Sequence, residues 1–292
     1  MEIIVGKTSG FCFGVSNAIE KTKQELKKLK NVYCLGELVH NSQVIDGLKE
    51  EGAYFINTIE EAKGNVIIRA HGIPEDIYEK AKTLGLTVND FTCPKVRKIH
   101  EIVKDYSSKG YYILLIGKSE HPEIIGIVSC CEKNYSVIRN VEDVPEALSK
   151  LKDSKIKSAV LISQTTFNMK KFLQLEQLIK SNINPDITFE TINTICNTSE
   201  MRQKETEDIA KKVDYMIIIG DKTSNNTKEL FEIASKHCDN SVFISTKSDI
   251  DANNFKKYAK IGIMAGASTP KQSINEVVEL LESNDYLIKV TG

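Results

Sequence analysis

Residues 91–126 read FTCPKVRKIHEIVKDYSSKGYYILLIGKSEHPEIIG, and this stretch opens one pass of a pattern that the chain uses three times. A cysteine, Cys93, precedes Pro94, which suits a first helical turn, and Val96, Ile99, Val103 and Tyr106 then recur at helical spacing. Residues 111–116 (YYILLI) form a short apolar run ended by Gly117, which predicts a buried strand. His121 and Glu123 follow at the start of the next helical stretch, where Pro122 favours a helix start.

Moving outward, Cys12 and Cys196 open two further passes. Counting 24 residues on from the three cysteines lands on Gly36, Gly117 and Gly220, and counting 28 lands on His40, His121 and Ser224. Counting 72 on from the second and third gives Thr165 and Ser268, and the shorter first pass offers His71 at 59. Self-similarity of this kind marks one supersecondary unit used repeatedly, with the recurring polar residues at element ends. Val15, Ala18, Ile19, Leu26 and Leu29 give the first helix its apolar stripe. The third is sparser, with Met201, Ile209 and Val213 as its apolar face and Thr198 or Ser199 as its cap.

Each pass is read as cysteine, helix, strand, helix, strand, helix, strand. Strands are expected at residues 32–35, 111–116 and 215–219, then at 66–68, 159–162 and 261–264, with closing strands at 88–91 and 187–192. Strands alternating with helices imply parallel sheets with crossover helices, hence three small α/β lobes. The helix at residues 271–281 is followed by a short tail, so residues 1–5 (MEIIV) are expected to complete the third lobe. The lobes are therefore bounded at 13–92, 93–195 and 196–292 plus 1–12.

Composition narrows the function. In 292 residues, Lys plus Arg (39) balances Asp plus Glu (40), so no global field calls for nucleic acid or an anionic membrane. The N-terminus lacks a signal-peptide pattern and no apolar run reaches membrane-spanning length, so a soluble cytoplasmic protein is expected. Seven cysteines without a CxxC pair fit reduced thiols, a metal or a cluster better than a disulfide framework. Cys34, Cys130, Cys131 and Cys238 lie in apolar runs or off the repeat and are read as core.

Cys12, Cys93 and Cys196 share a place before a helix, which burial alone does not explain. Three thiolates suit a four-iron cluster with one iron left open as a Lewis acid, or a zinc site completed by another ligand. His40, His71, His121, Thr165, Ser224, Asn226 and Ser268 fall at strand ends, where helix N-termini and hydrogen-bonding side chains hold anions such as a diphosphate. His100 and His237 fall off the landmarks and are read as surface. Glu123 is either a complement to the helix dipole or a proton donor with a raised pKa. GKT at residues 6–8 and GKS at 117–119 resemble a P-loop tail, but the glycine required five residues earlier is Met1 or Tyr112, and no dinucleotide fingerprint follows a strand. A non-catalytic zinc or iron–sulfur sensor is the other class consistent with three thiols.

GFCFGV, LGELVHN, RAHGIP, FTCP, GKSEHPEIIG, SQTT, TICNTSEMRQ, the GxKxS loop at residues 220–224 and GAST occur in order along the chain. Together they resemble the LytB-type 4-hydroxy-3-methylbut-2-enyl diphosphate reductases of the methylerythritol phosphate route, over almost the full length. The resemblance implies a trefoil of three α/β lobes around a 4Fe–4S cluster held at Cys12, Cys93 and Cys196. It also implies diphosphate contacts at His40, His71, His121, Ser224, Asn226 and Ser268, a catalytic acid at Glu123, and Thr165 beside the substrate hydroxyl. The reaction implied is a two-electron, two-proton removal of that hydroxyl. Asn225 stands where the family commonly has a second serine, which leaves it as a further contact through its amide or backbone N–H. With no second cofactor motif in the chain, electrons are expected from a separate carrier such as ferredoxin or flavodoxin.

Overall fold

The structure is a computed structural model describing residues 2–29, 31–250, 255, 258–283 and 289–291. It contains three parallel sheets. The first has the order β3-β2-β4-β5, with β2 (Val32–Leu35), β3 (Ala53–Ile56), β4 (Asn65–Ile68) and β5 (Thr87–Asp90). The second has the order β7-β6-β8-β9, with β6 (Tyr112–Ile116), β7 (Tyr135–Ile138), β8 (Ser158–Ser163) and β9 (Thr188–Thr191). The third has five strands, β11-β10-β12-β1-β13, with β1 (Glu2–Val5), β10 (Tyr215–Ile219), β11 (Ser241–Ile244), β12 (Lys260–Ala265) and β13 (Lys289–Thr291).

The central strands are apolar throughout because both faces are covered. All five residues of β6 (YILLI) are buried. Leu114 and Ile116 belong to one apolar cluster with Phe172 and Leu175, while Ile113 and Leu115 join another with Ile99 and Val103. Burial of each such side chain contributes about 1.5–3 kcal/mol, so a strand buried on both faces has no place for alternating polar residues.

The chain divides into two compact units. One comprises Met1–Ser16, Val39–Gly47 and Asn197–Gly292, and carries the third sheet; the other comprises Asn17–Leu38 and Leu48–Cys196, and carries the first and second sheets. As expected, β1 enters the third sheet, pairing with β12 from Glu2↔Lys260 to Val5↔Ile263. The tail nevertheless adds a strand of its own, β13, on the other side of β1.

Besides β13, three strands escaped the sequence reading: β3 (AYFI), β7 (YSVI) and β11 (SVFI), each at a sheet edge. Their partial exposure removes the continuous apolar signal, as Tyr54 at 51% exposure illustrates. Each leads into a short helical turn with a capping box, Thr58 with Glu61, Asn140 with Asp143 and Thr246 with Asp249. This is a further threefold landmark, and it rests on T/N-x-x-E/D spacing.

The helices follow the expected stripes in two lobes. In α1 (Phe13–Lys28), Ala18 and Ile19 are buried, and in α4 (Pro94–Ser108) so are Val96, Ile99 and Val103. The third copy, α8 (Asn197–Ala210), departs from expectation. Met201 is 60% exposed, and the buried face holds Ser199, Arg202, Gln203 and Thr206 beside Ile209 and Ala210. Thr198 and Ser199 lie inside its first turn rather than ahead of it, because the helix starts directly after Cys196. Its weak stripe has a physical reason: the polar face binds a loop, described below.

Candidate functional site

Strand register fixes which residues of the three lobes are equivalent. Leu35, Ile116 and Ile219 pair with Ile68, Ser163 and Ala265, so Ala70, Thr165 and Ala267 occupy one position, two residues beyond those strand partners. The cysteine backbone agrees: the N–H groups of Cys93, Cys196 and Cys12 donate to the carbonyls of Ala70, Thr165 and Ala267, at 2.9, 2.9 and 3.0 Å. The 72-residue spacing that equated Thr165 with Ser268 is therefore one residue out of register. Ser268 corresponds to His71 and Thr166, and Thr165 stands where the other two lobes have alanine.

The second unit assembles Glu123, Thr165, His71 and His121. In α5 (Pro122–Val128), Glu123 is 1% exposed; its Oε1 accepts from Thr165 N at 2.6 Å and its Oε2 from Thr165 Oγ1 at 2.8 Å. Burial pushes the carboxyl up to about 7, against the opposing effect of these two bonds. His121 caps α5, its Nδ1 accepting from Glu123 N at 3.1 Å, which leaves Nε2–H as the ring's donor. The His71 and His121 rings meet edge to face with centroids 5.5 Å apart. Gln164 holds the neighbouring loop, accepting from Lys118 N at 3.0 Å and donating to Thr166 Oγ1 at 3.1 Å. Gly117 is small of necessity: a Cβ there would collide with Ile124 and approach Gln164 Oε1 to 2.8 Å.

The first unit assembles His40, Ser224, Asn225, Asn226 and Ser268. Ser268 Oγ donates to the His40 carbonyl at 2.7 Å. Ser224 caps α9 (Asn225–Ser235), accepting from Thr227 N at 3.3 Å, while Asn225 and Asn226 form its buried first turn. Asn226 Nδ2 is buried and has no hydrogen-bond partner among the described residues. The shared 28-residue offset hides a difference of role. His121 and Ser224 are caps, but α2 (Ser42–Glu50) is capped by Asn41, whose Oδ1 accepts from Val44 N at 3.1 Å, so His40 lies one residue ahead of its cap. Asp221 pins this segment: its carboxylate accepts from Ser42 N at 3.0 Å and from Thr223 N at 2.8 Å. Burial alone would raise its pKa, but the Thr223 and Ser42 bonds outweigh it and hold Asp221 at about 2.

Sequence reasoning missed Arg202 and Glu205, which explain the polar face of α8. Arg202, 1% exposed, donates from Nε to Thr8 O at 2.8 Å and from Nη2 to Gly10 O at 2.9 Å. Glu205 accepts from Lys7 N and Thr8 N, each at 2.8 Å. The helix that follows Cys196 thus clamps the loop that precedes Cys12. The same contacts dispose of the GKT string as a phosphate loop, since a carboxylate already occupies its N–H groups. The signal was available in SEMRQKE (199–205), where Arg202 and Glu205 fall at helical spacing with Ile209, on the side that an apolar stripe would take.

All seven cysteines are free thiols, in two classes. Cys34, Cys130, Cys131 and Cys238 are buried as expected, and burial raises the first three to about 12, 11 and 12. Cys12, Cys93 and Cys196 are half-buried, each directly before a helix. The carbonyls of Cys12 and Cys93 accept the first helical bonds, from Ser16 and Arg97. Each is thus an accessible thiol at the start of a helix, of the side-chain type that iron and zinc take as ligand. His237 is exposed as expected. His100 is not a surface residue: it packs against the positions of Gly72 and Gly126, its Nε2 is buried without a partner among the described residues, and burial lowers its pKa.

The LytB protein family matches residues 3–282. The chain belongs to this family. It is 39% identical to the 4-hydroxy-3-methylbut-2-enyl diphosphate reductase of Alkaliphilus oremlandii, over 97% of the chain and 100% of that protein. The reductase of the same name from Clostridioides difficile is also 39% identical, over 97% and 100%. The solved structure of E-1-hydroxy-2-methyl-but-2-enyl-4-diphosphate reductase from Plasmodium falciparum is similar with a TM-score of 0.90 at 32% identity, covering 99% of this chain and 91% of that one. A non-catalytic sensor has no counterpart among these relatives. No helix among the described residues is long and apolar enough to cross a membrane.

Proposed function

We propose that this LytB-family chain removes the hydroxyl of 4-hydroxy-3-methylbut-2-enyl diphosphate reductively, giving isopentenyl and dimethylallyl diphosphates and water. The observation that carries the reading is the buried Glu123–Thr165 pair, an acid held near neutrality by burial within a family of reductases. The balance is R–OH plus two electrons and two protons giving R–H plus H2O.

Cys12, Cys93 and Cys196 are the proposed ligands of a 4Fe–4S cluster, because they are the accessible cysteines and share a place directly before a helix. When bound, the cluster supplies electrons and, with three thiolates for four irons, a Lewis-acidic iron. Glu123 in its protonated form delivers a proton to the departing oxygen, and Thr165 Oγ1, bonded to the same carboxyl, holds the hydroxyl and relays protons. Burial keeps Glu123 protonated where an exposed glutamate would be ionised. His40, His71, His121, Ser224, Asn225, Asn226 and Ser268 are assigned to the diphosphate, with the His121 Nε2–H and the Asn226 amide as donors. Binding this remote group orients the reacting end of the substrate. The lobes are proposed to run 13–92, 93–195 and 196–292 plus 1–12, and the enzyme to work in the cytoplasm with electrons from a carrier such as ferredoxin or flavodoxin.

The test is anaerobic preparation, iron and sulfide analysis, and product formation with a viologen dye as reductant. About four irons and four sulfides per chain and both isomeric products are expected. Zinc without iron, or no turnover by the loaded protein, would contradict the proposal. Serine in place of Cys12, Cys93 or Cys196 is expected to abolish stoichiometric iron, whereas Cys238→Ser retains it.

A further inference from the structure

His100, on α4, is a titratable group with a buried ring nitrogen that the proposed chemistry does not use. Its ring edge lies against two glycines of the second unit. A Cβ on Gly72 would stand 3.2 Å from His100 Cε1, and one on Gly126 would stand 3.3 Å from Cε1 and 3.4 Å from Nε2. Gly72 follows His71 in a turn closed by its N–H to Arg69 O at 3.0 Å, and its φ of +74° would strain any side chain there. Gly126 lies in α5, about one turn after Glu123. Ser129 Oγ ties this end of α5 to its neighbour, donating to Gly126 O at 2.7 Å and accepting from Glu75 N at 3.2 Å. The imidazole therefore sets how closely the His71 turn approaches α5, and these two segments carry the His71 and His121 rings that meet edge to face.

The surroundings keep this ring neutral. Nε2 is buried with no hydrogen-bond partner among the described residues. An imidazolium donates from both nitrogens, so protonation would leave an N–H unanswered at the glycine edge. Burial lowers the His100 pKa from its ordinary value of 6.5, helped by Lys104 and Arg97 of the same helix and opposed by Glu75 of α3 (Glu75–Thr83) and Asp90 of β5. Lys104 and Glu75 also pair with each other. From α5 come Glu123, whose oxygens accept from Thr165, and at its end Cys130, whose thiol burial pushes up to about 11; the turn brings His71. The repeat shows what is particular here. Counting 7 and 33 residues on from the cysteine gives His100 and Gly126 in the second lobe, but Gln203 and Glu229, both buried, in the third. A carboxylate at that second position would favour a charged imidazole, and glycine makes room for a neutral one.

We propose that His100 is a positioning residue for the second unit's diphosphate contacts: its neutral ring spaces the His71 turn from α5, and its protonation loosens both segments and weakens diphosphate binding. The inference rests on the assignment of His71 and His121 to the diphosphate above. Its sign is distinctive. Protonating His71 or His121 brings positive charge to an anion and tightens binding as pH falls, whereas protonating His100 weakens it. Because burial lowers the His100 pKa, the loss sets in below the ordinary value of 6.5, on the acid side of the Glu123 titration at about 7.

Inorganic pyrophosphate is titrated calorimetrically, under anaerobic conditions, into the cluster-loaded wild type, His100→Gln and Gly126→Ala between about pH 5 and pH 8. Glutamine stays neutral, so His100→Gln is expected to match the wild type within about twofold at pH 8 and to bind about threefold or more tightly than it at pH 5. Protonation of pyrophosphate itself is common to both proteins and cancels in that ratio. Gly126→Ala suits a helix and keeps the fold, but its methyl crowds the ring. It is expected to weaken binding several-fold at every pH, and in dye-driven turnover to raise KM with kcat nearly unchanged. Superimposed pH profiles for the wild type and His100→Gln overturn the role of protonation, and wild-type affinity in Gly126→Ala overturns the positioning. A wild-type His100 that titrates at about 6.5 or above by NMR overturns the proposal without any variant. Failure of dye-driven turnover in the wild type contradicts the reductase reading instead, while pyrophosphate affinity still decides His100. A wild type that binds no pyrophosphate at any pH overturns the diphosphate assignment and this inference together.

Discussion

The second and third sheets present the same strand ends with different chemistry. Beyond β8 stands Thr165, and beyond β12 at the equivalent position stands Ala267. Thirty residues after the repeat cysteine, the second lobe has Glu123 and the third Asn226. Both side chains sit at the second position of a helix, α5 or α9, and both are buried. One is a carboxyl with both oxygens bonded to Thr165, and the other an amide whose Nδ2 has no partner among the described residues. One scaffold position thus carries a buried carboxyl in one lobe and a neutral amide donor in the other, and the proposed function assigns chemistry to the first and anion binding to the second.

Glu123→Gln is the substitution expected to break the comparison most severely. It turns the second lobe into a copy of the third, keeping shape while removing the acid, and is expected to lower kcat by about 10²- to 10⁴-fold, measured as product formation with a viologen dye. Thr165→Ala recreates the residue of the other two lobes. Loss of one bond to a buried carboxyl is expected to cost about 1–3 kcal/mol, read as a smaller fall in kcat with substrate affinity largely kept. Asn226→Ala sharpens the contrast from the other side: KM rises several-fold with kcat nearly unchanged, because the interaction lost is uniform binding.

The pH dependence separates the lobes as well. Glu123 is raised to about 7 in the folded chain from an ordinary value of 4.5, so its contribution to stability is full below the ordinary value and is lost as pH rises through about 7. Glu123→Gln is expected to flatten the fall of Tm between those limits, checked by thermal melts across pH. Asp221 has the opposite sign. Held at about 2 by its bonds from Thr223 and Ser42, it contributes above its ordinary value of 3.8 and loses that contribution as pH falls through about 2. Asp221→Asn is accordingly expected to lower Tm at neutral pH by a few degrees at most, the smallest effect of the series.

Central strands and two of the three cysteine-led helices were legible in the sequence, because YILLI and YMIII have both faces buried and α1 and α4 keep an apolar stripe. The edge strands were not, since half-exposed residues such as Tyr54 carry no such signal. Neither was α8, whose Arg202 and Glu205 serve a loop 192 to 198 residues away in sequence. Glu123 and Thr165 were legible by spacing, but their partnership was not: it depends on a strand register that corrects the 72-residue count by one. That correction is what gives Thr165 its meaning, as a hydroxyl where two sister positions are alanine.

The most direct test of the division between lobes is single-turnover chemistry in cluster-loaded Glu123→Gln, with substrate affinity measured on the same preparation. The account expects wild-type affinity and a rate reduced by about 10²-fold or more, with no decline in rate as pH passes through about 7. A wild-type rate that still falls through that pH would contradict it.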